Sequence, residues 1–168
     1  ISIFRNNGEL DRNYVFSYNR NPLPPKNSSS TDHWGYYNVN SKSTSDQTFH
    51  YAPSYYRTYR NSEGQIQTGI WKGINKNSCS DRSQYGVLTS IKFPTGAETH
   101  FEYELNDFSN GFKDSADSLI RSGGGLRIKT ICDLSDKGDT ISVRTFAYTD
   151  ETGKSSGTLM SVPEYHYK

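Results

Sequence analysis

The sequence has little of what marks a membrane protein or a nucleic-acid-binding protein. No apolar run approaches the roughly 18 residues that a membrane-spanning helix needs, so we expect no membrane span in this segment. Lysine and arginine number 19 against 18 aspartates and glutamates, and they are scattered along the chain. Because binding to a phosphate backbone depends on a concentrated basic patch, nucleic acid is disfavoured as a partner.

Cysteine is scarce as well. Cys79 and Cys132 are the two cysteines of the chain, and they allow either one disulfide or two free thiols. Neither has a second cysteine or a histidine at metal-ligand spacing nearby. The four histidines follow no close-spaced ligand pattern. We therefore expect neither a metal nor a cofactor.

Aliphatic side chains are few, whereas aromatic side chains are plentiful. Ile, Leu, Val and Phe account for 31 of the 168 residues, a share close to that of disordered chains. The net charge of only +1 and the 13 Tyr, 8 Phe and 2 Trp instead favour a folded chain with an aromatic core. Since a chain of this length can bury a core of its own, we predict a single β-rich domain over residues 1–168.

The clearest local pattern runs from Tyr85 to Leu105. Apolar and polar residues alternate on both sides of Pro94-Thr95-Gly96, and many of the apolar ones are β-branched or aromatic. This alternation about a Pro/Gly turn is typical of a β-hairpin. Two further hairpins are predicted on the same grounds, at Ile1–Tyr18 about Asn6-Asn7-Gly8 and at Ile128–Tyr148 about Asp136–Asp139.

The three predicted hairpins share an ending. Each returning strand closes with Phe-x-Tyr, and residues two apart in a strand lie on one face, where the rings can stack against the next hairpin. The predicted fold class is all-β, an antiparallel meander of successive β-hairpins with long polar loops and at most one short helix. Long insertions are expected at 38–84 and 105–122, and the candidate helix is Ser115–Ile120. The three endings are Phe16/Tyr18, Phe101/Tyr103 and Phe146/Tyr148.

One stretch resembles a known family. Gly86–Glu104, GVLTSIKFPTGAETHFEYE, is similar to a unit of the tyrosine-aspartate (YD) repeats of rearrangement-hot-spot (RHS) proteins. Such a unit consists of a glycine, an aliphatic strand, a Pro/Asn-Gly turn and an aromatic-x-Tyr-Asp/Glu ending. The resemblance is loose over the rest of the chain, where four stretches are similar to the non-repeat part of large bacterial surface proteins: Tyr14–Asn19, Leu23–Pro25, Asp32–Asn38 and Gly124–Ile128.

The resemblance implies a β-rich segment of a long secreted or cell-surface bacterial polypeptide. In relatives such sheets form a shell around a C-terminal toxin or effector, so flanking repeats of the same polypeptide are the expected partners. The sequence starts at Ile1 with neither Met nor a charged-then-apolar leader, and we expect a fragment whose secretion signal lies upstream. Its hairpins are more widely spaced than the family pattern, and the resemblance carries no catalytic residues.

The densest aromatic cluster is Asp32–Asn38, DHWGYYN. The favoured interpretation is a plug of rings that covers an open end of the sheet, with Gly35 permitting a tight backbone path. The alternative is a carbohydrate-binding module whose exposed rings stack on a surface glycan; a protein ligand is also open. The candidate stacking residues are Trp34, Tyr36, Tyr37 and Trp71.

Catalysis is the least favoured function class. Glu98, Glu102 and Glu104 share a predicted strand face with His100, and glycoside hydrolysis needs two carboxylates across a sugar. Alternate polar residues on a strand, however, usually form the solvated face of a half-covered sheet. Neither cysteine has the sequence context of a nucleophile. We therefore expect a non-catalytic structural or interaction module.

Overall fold

The computed structural model describes residues 1–38, 53, 55–71, 73–113 and 119–165. This part of the chain is mostly β-structure, which confirms the all-β prediction, and each strand pairing with a defined register is antiparallel. A short 3₁₀ turn covers Arg82–Gln84. The described strands are β1 (Ser2–Phe4), β2 (Leu10–Asn13), β3 (Val15–Tyr18), β4 (Tyr55–Arg60), β5 (Ile66–Trp71), β6 (Leu88–Lys92), β7 (Glu98–Lys113), β8 (Leu119–Leu134) and β9 (Thr140–Thr145).

The strands form three sheets. A five-stranded sheet has the order β3-β6-β7-β8-β9, while β1–β2 and β4–β5 form two-stranded sheets. The predicted hairpin at Ile1–Tyr18 is therefore only partly correct, because β3 pairs with β6 instead of returning along β1. Phe16 lies opposite Ile91 in that pairing, and Tyr14 packs edge-on against Phe93 at 6.2 Å. The aromatic residues near β3 thus find apolar partners in and beside β6.

One five-residue turn recurs at six places in the described chain. In each copy the first N–H donates to the fifth carbonyl, and the N–H of a glycine at the fourth position donates to the first carbonyl. The glycines have φ between 77° and 95°, a region that glycine adopts without steric cost. This pattern is typical of a three-residue hairpin loop. The six recurrent turns are Arg5–Glu9, Asp32–Tyr36, Asn61–Gln65, Phe93–Ala97, Ser135–Asp139 and Asp150–Lys154.

The first side chain stabilises four of the six recurrent turns. The side-chain oxygen of Asp32, Asn61, Ser135 or Asp150 accepts hydrogen bonds from the N–H groups two and four positions later. Short polar side chains support turns through such local bonds. The sequence signature of this turn is therefore Asp, Asn or Ser followed three residues later by Gly.

The two segments expected as insertions contain regular structure. Within 38–84, β4 and β5 form a hairpin in which Tyr55 lies opposite Trp71 and Arg60 opposite Ile66. Within 105–122, the described residues continue β7 and β8. Leu119 and Ile120 of the candidate helix begin β8, and its other residues lie outside the described residues. The strands extend this far because the side chains of Phe108, Phe112 and Ile120 are buried together.

The chain is divided into two compact units. The first unit comprises Ile1–Leu23, Gln84–Glu104 and Leu126–Tyr148. The second comprises Pro24–Ser83, Leu105–Gly125 and Thr149–Lys168. The buried cluster of Phe108, Phe112 and Ile120, with Trp34 and Leu159 packed against it, forms the core of the second unit.

Cys79 and Cys132 are free thiols, and both are half-buried. Across the described residues, no helix is sufficiently long and apolar to cross a membrane.

The tyrosines that end two of the predicted hairpins make the same contact. The hydroxyl of Tyr103 donates to the carbonyl of Leu88 at 2.7 Å, and the hydroxyl of Tyr148 donates to the carbonyl of Ile128 at 2.7 Å. In both cases the acceptor lies on the outgoing strand of the same hairpin. Burial also raises the pKa of Tyr103 above its ordinary value of 10.0. Tyr18, the third member, is exposed in β3.

Asp133 in β8 gives the first unit a pH-dependent contact. Its carboxylate accepts hydrogen bonds from the hydroxyls of Thr99 at 2.7 Å and Ser142 at 2.8 Å, and from the guanidinium of Arg144 at 2.9 Å. These donors, with Thr99 the largest contributor, hold the pKa of Asp133 below its ordinary value of 3.8.

The substitution Asp133→Asn is expected to flatten the acid side of the curve of stability against pH. A carboxyl with a depressed folded-state pKa contributes stability above its unfolded pKa, and this contribution is lost as the pH falls through the folded pKa. Thermal unfolding of both proteins from about pH 6 to about pH 2 measures the effect. Glu151→Gln, in an exposed turn, controls for the loss of one charge. Parallel curves for Asp133→Asn and the unmodified chain would contradict this account.

Candidate functional site

The segment Asp32–Asn38, hereafter the aromatic turn, is built around the carboxylate of Asp32. Oδ1 accepts from the N–H groups of Trp34 and Tyr36, each at 2.9 Å, and Oδ2 accepts from the hydroxyl of Ser78. Asp32 is only 2% exposed, and a buried charge needs such partners to offset its lost hydration. Gly35, with φ 95°, completes the recurrent turn and leaves the ring of Trp34 at its tip.

Asn38 fixes the other end of the aromatic turn. Its side-chain amide is buried and donates to the carbonyls of Asn75 at 3.0 Å and Asn77 at 3.2 Å. A buried amide is costly unless it is hydrogen-bonded. Asn38 therefore ties the aromatic turn to the segment 75–77.

Lys76, in the segment 75–77, belongs to the same hydrogen-bonded network. Its ammonium donates to the hydroxyl of Thr31 at 3.1 Å, and its carbonyl accepts from the N–H of His33 at 3.0 Å. Burial lowers the pKa of Lys76, and the negative charge of Asp32 opposes that change. The lysine thus balances the buried carboxylate within the second unit.

The ring of Trp34 packs on the core of the second unit. Its centroid lies 6.3 Å from that of Phe108 and 6.2 Å from that of Phe112. His33 contacts the same cluster, with its ring 5.3 Å from Phe112 in an edge-on arrangement. Such tilted and edge-on arrangements are the favourable ones for ring pairs. Trp34 consequently uses much of its ring surface in contacts within the chain.

Three consecutive glycines of β8 make room for the aromatic turn. A Cβ at Gly123 would lie 2.1 Å from Cζ3 of Trp34, and a Cβ at Gly125 would lie 2.6 Å from the hydroxyl oxygen of Tyr36. All three glycines, Gly124 included, also have positive φ. Glycine within a strand commonly marks a close approach of this kind.

The four candidate stacking residues have different surroundings. Trp34 and Tyr36 are brought together on β8, although Tyr36 remains 42% exposed. Tyr37 is half-buried, and its backbone forms an isolated bridge with Thr31. Trp71 belongs to the separate β4–β5 sheet, and its side chain lies outside the described residues.

The candidate acid–base group around Glu98 is a partly exposed cluster of ion pairs. Oε1 of Glu98 lies 3.1 Å from Nζ of Lys92, and Oε2 lies 3.0 Å from Nε2 of His100. The hydrogen bond from Lys92, followed by that from His100, lowers the pKa of Glu98. A general acid near neutral pH requires a raised pKa, so the change is in the opposite direction.

Glu104 has a cationic partner of its own. Its Oε1 lies 2.7 Å from the terminal guanidinium nitrogen Nη2 of Arg127 and 2.8 Å from Nε. The guanidinium carbon of Arg127 also lies 4.1 Å from the ring centroid of Tyr148. Arginine stacks on aromatic faces while it binds carboxylates, and this arrangement links β7, β8 and the end of the last hairpin. Glu102 is exposed.

Ser155 lies in a stretch whose sequence matches a hydrolase motif. Gly153-Lys154-Ser155-Ser156-Gly157 fits Gly-x-Ser-x-Gly, which in α/β-hydrolases places a nucleophile between a strand and a helix. Here Ser155 follows the recurrent turn at Asp150–Lys154, donates to Oδ1 of Asp107 at 2.7 Å and accepts from the N–H of Gly157 at 3.1 Å. The first contact joins Ser155 to β7, and the second organises the local backbone.

The fold and site define an all-β protein with a buried polar turn that holds aromatic rings against a glycine-rich strand. In the ranges that the structure describes, no group of three or more His, Cys, Asp or Glu is placed to hold a metal ion. No protein-family model matches the sequence, and no curated protein or solved structure matches it either.

Sequence reasoning did not identify the partners of the aromatic turn. The glycine triplet is visible in the sequence, and glycines inside a strand pattern signal a close approach. The approaching residue, Trp34, lies about ninety positions earlier, too far for any local pattern to indicate. Ser78 and Lys76 carry no sequence signal of their own, because each lies in a polar segment among many similar residues.

Proposed function

We propose that this chain is a non-catalytic structural segment of a large secreted or cell-surface bacterial protein related to the RHS family. The observation that carries the proposal is recurrence. Among the described residues, one turn pattern occurs six times, and two hairpins place a tyrosine hydroxyl on their own outgoing strand. Repeated units that bury one face against the next are typical of repeat proteins. The proposal includes a YD-repeat-like meander, for which the consecutive β6–β7 and β8–β9 hairpins provide support.

The partners in this proposal are flanking repeats of the same polypeptide. The five-stranded sheet has β3 and β9 at its edges, and these strands expose Val15, Ile141 and Val143. An edge strand with exposed apolar residues is a ready site for pairing with another strand. Neighbouring repeats would cover such edges.

The aromatic turn supports a structural role over a ligand platform. Trp34 packs on buried Phe108 and Phe112, and the buried carboxylate of Asp32 fixes the backbone that presents it. Carbohydrate binding remains the second candidate function because the ring of Tyr36 is partly exposed next to Trp34. In that case a sugar would stack on Tyr36 and change the surroundings of the neighbouring indole.

Tryptophan fluorescence of the variant Trp71→Phe tests the two functions. In this variant Trp34 is the single emitting tryptophan, and we expect acrylamide to quench it weakly and no glycan in a soluble panel to change its emission. A glycan that shifts the emission of Trp34 and protects it from acrylamide would contradict the structural proposal. The matched variant Trp34→Phe leaves Trp71 as the reporter, so a response confined to it would move the binding site to β5.

A further inference from the structure

The segment Ser155–Tyr165, hereafter the tail, lies along β7 in the second unit. The N–H of Ser109 donates to the carbonyl of Gly157 at 3.0 Å. The side-chain amide of Asn110 forms a pair of hydrogen bonds of the kind that a main-chain peptide group forms. It donates to the carbonyl of Leu159 at 3.0 Å and accepts from the N–H of Leu159 at 2.9 Å. Ser155 bonds to Asp107. Alternate tail residues, Ser155, Gly157 and Leu159, thus contact Asp107, Ser109 and Asn110 in turn, and the two segments run in the same direction.

Two positions of the tail are restricted by their surroundings. A Cβ at Gly157 would lie 2.1 Å from the carbonyl oxygen of Asp107, so no larger residue fits without movement of the backbone. Leu159 packs against the buried cluster of Phe108, Phe112 and Ile120. Met160, by contrast, is 90% exposed. The contacts therefore select the pattern Ser-x-Gly-x-Leu and leave the next position free.

The far end of the tail is anchored on the aromatic turn. The hydroxyl of Tyr165 lies 3.0 Å from Nδ1 of His33, and the two ring centroids are 5.8 Å apart. A segment that makes the same contacts therefore also needs, after the leucine, an aromatic side chain that ends in a polar group.

We propose that the edge of β7 from Asp107 to Asn110 is a peptide-binding groove that recognises a segment of the pattern Ser-x-Gly-x-Leu, and that the tail is its resident occupant. The main-chain hydrogen bond from Ser109 to Gly157 and the two bonds of the Asn110 amide to the main chain of Leu159 would provide affinity, and the side-chain positions would provide specificity, much as in strand-addition recognition. This inference goes beyond the proposed function because it gives the chain a binding activity of its own, and it does not rest on the relation to RHS proteins.

The resident tail explains how the groove would be kept closed to other peptides. A covalently attached segment competes at an effective concentration in the millimolar range. A separate peptide with the same contacts is therefore excluded until the tail is disconnected. The recurrent turn at Asp150–Lys154, which precedes the tail, is exposed and is a suitable place to disconnect it.

The test uses the full chain with a site for a sequence-specific protease inserted between Thr152 and Gly153. The protein is folded, cleaved and mixed with a fluorescent peptide of residues 155–165, and binding is followed by anisotropy. We expect saturable binding to the cleaved chain, about 100-fold or more tighter than to the uncleaved chain. Excess unlabelled peptide should displace the labelled one.

Two variant peptides test whether binding depends on the contacts described above. The Gly157→Val peptide is expected to bind about 10- to 100-fold more weakly, because its side chain meets the carbonyl of Asp107. The Met160→Ala peptide should bind like the original, since Met160 is exposed. The proposal is overturned if the labelled peptide does not bind the cleaved chain, or if the Gly157→Val peptide binds as well as the original.

Discussion

Replacement of Gly123 by alanine is expected to lower the free energy of unfolding by about 3 kcal/mol, from overpacking together with backbone strain. The new Cβ would meet Trp34 at 2.1 Å and the hydroxyl of Ser78 at 2.6 Å. Gly123 also has φ 145°, a conformation that residues with a side chain rarely adopt. Urea unfolding, followed by circular dichroism, measures the change.

Alanine substitutions at two other glycines serve as controls, because they distinguish the cost of the steric contact from the cost of backbone strain. Gly64 has φ 79°, and a Cβ at this position would have no heavy atom within 4 Å, whereas Gly124 has φ 74° and a Cβ there would make only ordinary contacts with Trp34 at 3.8 Å. Alanine at either position should cost about 1 kcal/mol, the backbone contribution alone. If alanine at Gly123 costs no more than alanine at Gly64, the close packing of Trp34 on β8 is incorrect.

The substitution Asp32→Ala is expected to destabilise the chain by about 3 kcal/mol or more, because three donors lose their acceptor. The N–H groups of Trp34 and Tyr36 and the hydroxyl of Ser78 all bond to this carboxylate. Asp32→Asn keeps Oδ1 as an acceptor and should retain part of the stability. The same urea experiment gives both values.

Asp150 provides the matched control for Asp32. Its Oδ1 accepts hydrogen bonds from the N–H groups two and four positions later, those of Thr152 and Lys154, as the Oδ1 of Asp32 does in its own recurrent turn. Asp150 is exposed, so water can replace the lost acceptor, and Asp150→Ala should cost clearly less than Asp32→Ala. Equal losses at Asp32 and Asp150 would show that burial of the aromatic turn contributes nothing.

The sequence predicted those parts of the fold that depend on local chemistry. The alternation in Gly86–Glu104 and the turn at Pro94-Thr95-Gly96 correctly indicated the β6–β7 hairpin, because strand periodicity and turn residues lie next to each other in the chain. The recurrent turns at Asp32, Asn61 and Asp150 carry the same local signature, Asp or Asn with Gly three residues later. They were therefore predictable, although the turn at Asn61 lies in a segment expected to be an insertion.

Long-range pairings could not be predicted in the same way. The pairing of β3 with β6 joins residues separated by seventy or more positions, and the register of such a pair depends on which apolar faces meet. Ser109 and Asn110 of β7 also bond to the main chain of the tail, which lies nearly fifty positions later in the sequence. The stretch 105–122 was predicted to be an insertion, since the distant acceptors and donors have no local signal.

For the site, the sequence supplied the ring-bearing residues but not their surroundings. The plug interpretation of Asp32–Asn38 followed from aromatic composition, and it stays a prediction; the contacts of Trp34 with Phe108 and Phe112 show that its ring packs within the second unit. The role of the glycine triplet depends on a steric contact across the second unit. No composition or periodicity argument specifies which ring lies over which glycine.

The most direct test of the account is a nuclear Overhauser measurement between the indole of Trp34 and the Hα protons of Gly123. Cζ3 of Trp34 lies close to the position that a Cβ of Gly123 would occupy. This predicts a strong cross-peak from Hζ3, unchanged when soluble glycans are added. Absence of that cross-peak, with the indole protons of Trp34 showing only solvent contacts, would contradict the central claim that the aromatic turn is packed on β8.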